Sequence, residues 1–298
     1  MPAQHVSLAM KIERLPGPFG VKLVGVDLRE PIHAQLFKDI FEALITHRFV
    51  VLPGQALDHD AYLAFGRRWG QPVLLISAKN RTDSHPEIIK QTNAAATLPA
   101  LRNTANHWHC DSSYEERVAN VTMLYGVQAP DRDGETLFAD MVAAYESLPA
   151  RQRSELDDYL VWHATSAATP LPDETIVKPQ DVPEAYRGSI TLLPPVQHPL
   201  VQRHPCNGRK ALYGLGGSAY GIEGMPPEQG SELLLTLRRH ATQAKFCSRY
   251  KLLPGDVLIW DNLSVMHRAT PISYSDAPGE RRENYRISVK GLPDELAV

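Results

Sequence analysis

A short polar stretch of the chain contains side chains that commonly bind metal ions. His109 and Asp111 are separated by one residue, and alternate residues of a β-strand point to the same face. If this stretch is a strand, an imidazole and a carboxylate reach the same point in space. A second imidazole would then complete the two-histidine, one-carboxylate site that is typical of non-haem Fe(II). The alternative is that the stretch is a polar loop or a helix N-cap.

The best candidate for the second imidazole is His267. The preceding run 255–262, Gly-Asp-Val-Leu-Ile-Trp-Asp-Asn, predicts a strand that ends at its Asp-Asn pair. His267 follows at the predicted start of the next strand, where the backbone would hold a ligand rigidly. Four other histidines are interpreted as packed or surface side chains: His163, His198, His204 and His240.

Two of the three arginines near the end of the chain could bind an anion. Arg282 and Arg286 are four residues apart, and a guanidinium group can bind a carboxylate through two parallel hydrogen bonds. An iron enzyme that uses an oxo-acid as cosubstrate needs such a cation near the metal. Arg281 is interpreted as solvated, and the alternative is that the whole run is a solvated basic surface.

The elements that must position these residues are mostly short strands. Strands are predicted at 21–28, 49–52, 88–91, 118–127, 134–140, 161–164, 198–201, 210–213, 246–251, 257–260 and 286–290. Helices are predicted at 36–47, 58–69, 141–148, 149–160 and 226–241. Many short strands with a few helices predict a mainly β fold, with helical decoration on a sandwich or jelly-roll core.

The composition is that of an ordinary globular protein of 298 residues. Hydrophobic residues make up 43% and charged residues 22%. A net charge of −3 provides no basic field for nucleic acid or membranes, and no apolar run reaches the roughly 20 residues that span a bilayer. No signal-peptide pattern follows Met1. Three cysteines suggest neither a disulfide framework nor a zinc site, so we expect a cytoplasmic protein.

The organisation along the chain predicts one domain over residues 1–298. The proline-rich stretch 169–195 is irregular and long for a loop inside a domain, so it is interpreted as an insertion or lid. The polar stretch 92–106 is a second candidate for closing the site. The alternative for each is a surface loop without a role. The sequence leaves the oligomeric state open, and a homo-oligomer is compatible with it.

Five motifs in a fixed order resemble a known family. They are Trp108-His109-x-Asp111-Ser112-Ser113, Gly134-x-Thr136-Leu-Phe-Ala-Asp140, Gly208-Arg-Lys-x-Leu-Tyr213, Gly255-Asp-Val-x-x-Trp-Asp-Asn262 with His267-Arg-Ala269, and Arg281-Arg282-x-x-x-Arg286. Together they resemble the Fe(II)/2-oxoglutarate-dependent dioxygenases of the taurine dioxygenase and 2,4-dichlorophenoxyacetate dioxygenase (TauD/TfdA) type. The resemblance spans roughly residues 20 to 291 and implies a double-stranded β-helix, which agrees with the jelly-roll prediction.

The resemblance also implies how the cofactors are held. His109, Asp111 and His267 would ligate Fe(II). Thr136 and Arg282 would hold the distal carboxylate of 2-oxoglutarate, which chelates the metal through its keto-acid end and leaves a position for O₂.

For the primary substrate, the resemblance implies that Arg286 faces an anionic group. His107 lies two residues before His109. It is therefore expected on the same side, where it could contact substrate or replace His109 in a rival metal pairing. Cys110 should point away from the metal.

Trp69-Gly70 is followed by no histidine through residue 76. In the taurine enzyme of the family, a histidine at this place binds the sulfonate. Its absence here argues against taurine as the substrate.

The function that these assignments imply is hydroxylation of a small anionic organic substrate, with release of succinate and CO₂. An aryloxyalkanoate or a similar carboxylate is favoured, with cleavage of the hydroxylated product. A sulfonate, an alkyl sulfate or a natural-product intermediate is the alternative. A metal-binding jelly-roll protein without oxygenase activity and a zinc hydrolase are remoter, because neither needs Thr136 and the two arginines.

Overall fold

The computed structural model describes residues 10–74, 81–97, 99, 102–184 and 193–293. Its helices are α1 (Ala34–His47), α2 (His59–Arg68), α3 (Met141–Glu146), α4 (Ala150–Leu156) and α5 (Pro227–Ala241). Its strands are β1 (Lys11–Arg14), β2 (Val21–Val24), β3 (Phe49–Leu52), β4 (Gln71–Pro72), β5 (Ile89–Thr92), β6 (Val121–Gln128), β7 (Glu135–Asp140), β8 (Leu160–His163), β9 (Val196–Pro199), β10 (Val201–Arg203), β11 (Lys210–Leu212), β12 (Ala219–Ile222), β13 (Cys247–Lys251), β14 (Val257–Asp261), β15 (Val265–Ala269) and β16 (Glu283–Lys290).

The largest sheet has the strand order β1-β2-β3-β14-β6-β16-β4, and β5 pairs with β16. Strands β2 and β3 are parallel, and the other pairs in this sheet are antiparallel. Its central strands β3 and β14 are buried along their whole length. Their near-continuous apolar runs are typical of strands that are covered on both faces.

A second sheet, of order β13-β7-β15, packs against one face of the largest sheet. Aromatic rings fill the space between them: Phe49 of β3 stacks on Phe138 of β7 with ring centroids 4.5 Å apart, and Trp260 of β14 lies 5.7 Å from Phe138. This buried interior is the jelly-roll core. Two smaller sheets complete the fold, with the orders β10-β11 and β12-β8-β9.

Helices α1 and α2 cover the outer face of the largest sheet. They bury apolar side chains at helical spacing, including Phe37 and Leu44 from α1 and Tyr62 and Phe65 from α2. Helix α5 covers the other side of the molecule with Leu234, Leu237 and Ala241. In the part of the chain that the structure describes, no helix combines the length and apolarity needed to cross a membrane.

The predicted fold class, a mainly β jelly roll with helical decoration, is confirmed. Two local predictions are wrong. The helix predicted to Leu160 ends at Leu156, because Leu160 begins β8, whose pairing with β9 and β12 overrides helical propensity. The strand predicted at 198–201 is in fact two strands: residues 196–199 form β9, which pairs with β8, and β10 begins at Val201 and pairs with β11.

The irregular stretch 169–195 is described except for residues 185–192, which lie outside the described residues. The described part contains one 3₁₀ turn, Pro179–Asp181, before the start of β9. That this stretch is an insertion or lid stays a prediction, as does the division of the chain as one domain over 1–298. The stretch 92–106 is described except for residues 98, 100 and 101.

Candidate metal centre

His109 and His267 face each other across an isolated antiparallel bridge. The N–H of His109 donates to the His267 carbonyl at 3.0 Å, and the reverse bond is 2.9 Å. The sequence left open whether the stretch with His109 and Asp111 is a strand or a polar loop, and the structure shows one bridge followed by a turn. The chain turns at Asp111, and Ser112 has a φ of 56°, so the pairing with β15 stops after one bridge. His267 lies in the middle of β15 rather than at a strand start.

Three predicted residues come together at this bridge. One potential ligand atom from each of His109, Asp111 and His267 lies within 4.8 Å of the other two. The Nε2 atoms of both histidines are 3.7 Å from Oδ1 of Asp111. Among the described residues this is the one cluster of three or more such groups. Two imidazoles and one carboxylate are a donor set that fits Fe(II).

Both histidines are neutral at physiological pH. Nδ1–H of His109 donates to the His107 carbonyl at 2.8 Å, which leaves Nε2 free to face the centre. Burial and the neighbouring His267 lower the pKa of His109 to about 4. Burial likewise lowers the pKa of His267 to about 4, although Asp111 opposes the shift. Neutral imidazoles offer the lone pair that a metal needs.

Asp111 is buried and ionised. Burial raises its pKa, but Arg286, the two histidines and a hydrogen bond from Thr122 together bring the pKa well below its usual range. The Thr122 hydroxyl donates to Oδ2 at 2.7 Å, so Oδ1 is the oxygen that faces the histidines.

Two residues that support Asp111 were not predicted to belong to the site. Thr122 lies opposite Ser288 in the β6–β16 pairing, and their hydroxyl oxygens are 3.0 Å apart. The Asn262 side chain donates to Thr122 at 3.0 Å. Asn262 belongs to a motif recognised in the sequence and could have been proposed. Thr122 could not, because its role depends on strand register.

Arg282 directly precedes β16 and Arg286 lies within it, and the two side chains differ in their partners. Nη2 of Arg286 is 2.8 Å from Oδ1 of Asp111, and its guanidinium also donates to Ser288. The Arg282 backbone N–H donates to Asn93 at 2.6 Å. Its side-chain Nε is buried and has no hydrogen-bond partner among the described residues, and burial lowers the pKa of this guanidinium. A half-buried guanidinium whose Nε lacks a partner fits an incoming carboxylate.

Thr136 is on β7, in the sheet that carries His267. It pairs with Ala269, and two residues further on Phe138 pairs with His267. Alternation places Thr136 on the same face of β7 as Phe138, whose ring centroid is 6.3 Å from that of His267. Thr136 therefore faces the jelly-roll interior.

His107 and Cys110 flank the candidate ligand His109. The His107 ring lies 4.9 Å from the His109 ring, and its buried Nδ1 has no hydrogen-bond partner in the described chain. Burial and His109 lower the pKa of His107 to about 3. Cys110 points elsewhere, because its Sγ donates to the Val265 carbonyl at 3.3 Å. The structure thus groups His109, and not His107, with the other two candidate ligands.

A jelly roll that gathers two imidazoles and a carboxylate in its interior has the architecture of the non-haem iron oxygenases. The comparison with known families makes this specific: the family model described as "Taurine catabolism dioxygenase TauD, TfdA family" matches residues 11–288. The chain belongs to this family. It is a 2-oxoglutarate-dependent non-haem iron dioxygenase, and its family uses Fe(II), 2-oxoglutarate and O₂.

The relatives act on different substrates. The alpha-ketoglutarate-dependent 2,4-dichlorophenoxyacetate dioxygenase of Cupriavidus pinatubonensis is 32% identical over 262 residues, which are 84% of this chain and 88% of the relative. The alpha-ketoglutarate-dependent sulfate ester dioxygenase of Pseudomonas putida is 28% identical over 271 residues, covering 88% and 85%. A crystal structure of a taurine dioxygenase from Burkholderia xenovorans is similar with a TM-score of 0.77 and 27% identity, covering 95% of this chain and 90% of that one.

Proposed function

We propose that His109, Asp111 and His267 bind Fe(II) in this enzyme and that Arg282 and Thr136 bind the distal carboxylate of 2-oxoglutarate. The observation that carries the proposal is the cluster of three ligand atoms within 4.8 Å. The buried, unpartnered Nε of Arg282 supports the second assignment, because a buried cation without a partner is costly unless a ligand supplies one.

When bound, Fe(II) with 2-oxoglutarate and O₂ supplies the oxidising power for hydroxylating a C–H bond. The chain's own residues orient the candidate ligands and shield the centre from water. Thr122 fixes the Asp111 carboxylate so that Oδ1 is presented. Phe138 and Trp260 pack on the His267 ring, with centroids 6.3 and 4.7 Å away. These rings exclude water from one side of the centre.

We further propose that the primary substrate is a small organic anion, most favourably an aryloxyalkanoate or similar carboxylate. Arg286 provides a guanidinium beside the centre, and His107 provides a buried imidazole with an unused nitrogen. Hydroxylation converts substrate, 2-oxoglutarate and O₂ into the alcohol, succinate and CO₂. If the hydroxylated carbon carries an ether oxygen, the product collapses with cleavage of that bond. The 32% identity to the 2,4-dichlorophenoxyacetate enzyme supports this choice.

The second candidate is an alkyl sulfate or related sulfate ester. The 28% identity to the sulfate ester dioxygenase favours it, and a guanidinium binds a sulfate as well as a carboxylate. A natural-product intermediate is a further candidate substrate for the same fold. These candidate substrates differ in the C–H bond that lies at the metal centre, and all of them use the same proposed cofactor sites.

The test is substrate-stimulated succinate formation. Purified enzyme with Fe(II), 2-oxoglutarate and O₂ is incubated with phenoxyacetate, 2-phenoxypropionate, an alkyl sulfate or taurine. We expect the aryloxyalkanoates to stimulate succinate release most. Arg286→Gln should lower this stimulation, while Arg281→Gln serves as the matched control. Stimulation by the alkyl sulfate alone would replace the favoured substrate class, and basal rates with every anion would refute the proposal of a small anionic substrate.

A further inference from the structure

Segment 171–175 crosses the stretch of chain that precedes the first candidate ligand. The Thr175 N–H donates to the Asn106 carbonyl at 3.3 Å. One carboxylate oxygen of Glu174, Oε1, accepts the Trp108 N–H at 2.7 Å. The segment therefore binds the backbone of the metal centre directly, through a side chain that the sequence did not single out.

The Glu174 carboxylate is completely buried, and each of its oxygens accepts a backbone N–H. Its side chain is 0% exposed, and Oε2 accepts the Leu171 N–H at 2.6 Å. Arg238 of α5, with a side chain that is 2% exposed, places Nη2 3.5 Å from the same oxygen. A buried carboxylate needs such a partner, so Arg238 allows Glu174 to be charged at this position.

The bond from Trp108 acts on a peptide group that also orients a candidate ligand. The peptide between His107 and Trp108 is planar, so its C=O and its N–H are fixed together. Its C=O accepts Nδ1–H of His109 at 2.8 Å, and its N–H is held by Glu174. Rotation of this peptide would therefore change the direction of the His109 ring.

We propose that Glu174 is a positioning residue for the metal centre, acting on His109 through the single peptide group between residues 107 and 108. The proposal rests on the proposed function, because it takes His109 as a metal ligand. Groups that orient metal-binding histidines typically contribute about 10- to 100-fold to metal affinity. Such groups usually hydrogen-bond the imidazole itself. Glu174 instead accepts the N–H of the peptide group whose carbonyl binds the His109 imidazole.

The test compares two double variants in which the buried ion pair is absent. Glu174→Gln with Arg238→Met keeps one side-chain oxygen, which can accept either the Trp108 N–H or the Leu171 N–H, whereas Glu174→Ala with Arg238→Met keeps none. Both remove the two charges together, so neither leaves Arg238 unpaired. Binding of Mn(II) to the metal-free protein, without 2-oxoglutarate, is measured by the EPR signal of free Mn(II).

We expect the Ala/Met variant to bind Mn(II) about 10- to 100-fold more weakly than wild type, and the Gln/Met variant to bind like wild type if its oxygen accepts the Trp108 N–H. An Ala/Met variant that binds Mn(II) as tightly as wild type would refute the positioning role while leaving the metal centre intact. Absence of Mn(II) binding by wild type would instead refute the proposed metal centre, and with it the positioning role.

A second measurement covers the case in which the Ala/Met variant does not fold. Hydrogen exchange of the Trp108 amide is followed by NMR in the metal-free wild-type protein and in the Gln/Met variant. Protection in wild type is the expected result, and protection in the Gln/Met variant would show that its one side-chain oxygen accepts this N–H rather than the Leu171 N–H. Rapid exchange in wild type would contradict the bond on which the proposal depends.

Discussion

At the scale of one residue, Arg282 carries a half-buried guanidinium that we propose binds 2-oxoglutarate. Its Nε is buried without a partner among the described residues. Replacing Arg282 by Gln should raise the 2-oxoglutarate concentration required for half-maximal rate by about 10- to 100-fold, because a charge-assisted hydrogen bond is worth about 1.5–3 kcal/mol. The same change should increase the free energy of unfolding of the ligand-free protein, since an unsatisfied buried group is removed.

The neighbouring Arg281 supplies the matched control. Arg281 pairs with Asp276, whose side chain is 59% exposed, so Arg281→Gln should change stability by less than about 0.5 kcal/mol. Steady-state kinetics and urea unfolding measure the two effects separately. If Arg282→Gln leaves the 2-oxoglutarate requirement unchanged, the assignment of this arginine to the cosubstrate is wrong.

Site residues could be predicted where they belong to a recognisable sequence motif. Residues that join the site only through tertiary contacts could not. His109, Asp111, His267 and the arginines stand in recognisable spacings. Thr122 is 11 positions from Asp111, and no local pattern indicates the hydrogen bond between them. Glu174 is separated from Trp108 by 66 positions, and nothing local to either residue indicates that they meet.

At the scale of secondary structure, helix α2 depends on a cap that the sequence predicts. The Asp58 side chain accepts the Ala61 N–H at 2.8 Å, and the helix buries Tyr62 and Phe65 against the largest sheet. Asp58→Ala should lower the free energy of unfolding by about 1 kcal/mol. Glu42→Ala, at an exposed position inside α1, is the control acid in urea unfolding. Equal stability of the two variants would contradict the capping role.

Elements with a local signal were predicted well, and those fixed by distant partners were not. Helices α1 and α2 show apolar side chains at helical spacing, and β3 is a continuous apolar run, so each was placed to within a few residues. For the stretch around His109, a strand was one interpretation and a polar loop or N-cap the other. The stretch forms a single bridge because the chain turns at Asp111, which periodicity does not reveal.

For the whole molecule, a buried histidine makes stability depend on pH. His163 of β8 is 0% exposed, and neither ring nitrogen has a partner in the described chain. Burial and the nearby His198 lower the pKa of His163 to about 3, against about 6.5 in an unfolded chain. Below pH 6.5 the unfolded state therefore binds a proton that the folded state does not. This histidine should then reduce the free energy of unfolding by up to about 1.4 kcal/mol per pH unit as pH falls towards 3.

His163→Leu removes this contribution, so the variant should lose less stability than wild type between pH 7 and pH 5. His33→Asn replaces an exposed histidine and keeps a side-chain acceptor for the start of α1, which makes it the control. Urea unfolding of the metal-free proteins at both pH values gives the comparison. If the free energy of unfolding of His163→Leu depends on pH as strongly as that of wild type, His163 does not cause this dependence.

The central claim is that His109, Asp111 and His267 form a centre that binds Fe(II) together with 2-oxoglutarate. The most direct measurement is the visible absorption spectrum of the anaerobic protein after Fe(II) and 2-oxoglutarate are added. We predict a weak metal-to-ligand charge-transfer band in the wild type and no band in Asp111→Ala, which lacks one ligand. A wild-type protein without the band, or an Asp111→Ala protein that retains it, would contradict the assignment of this centre.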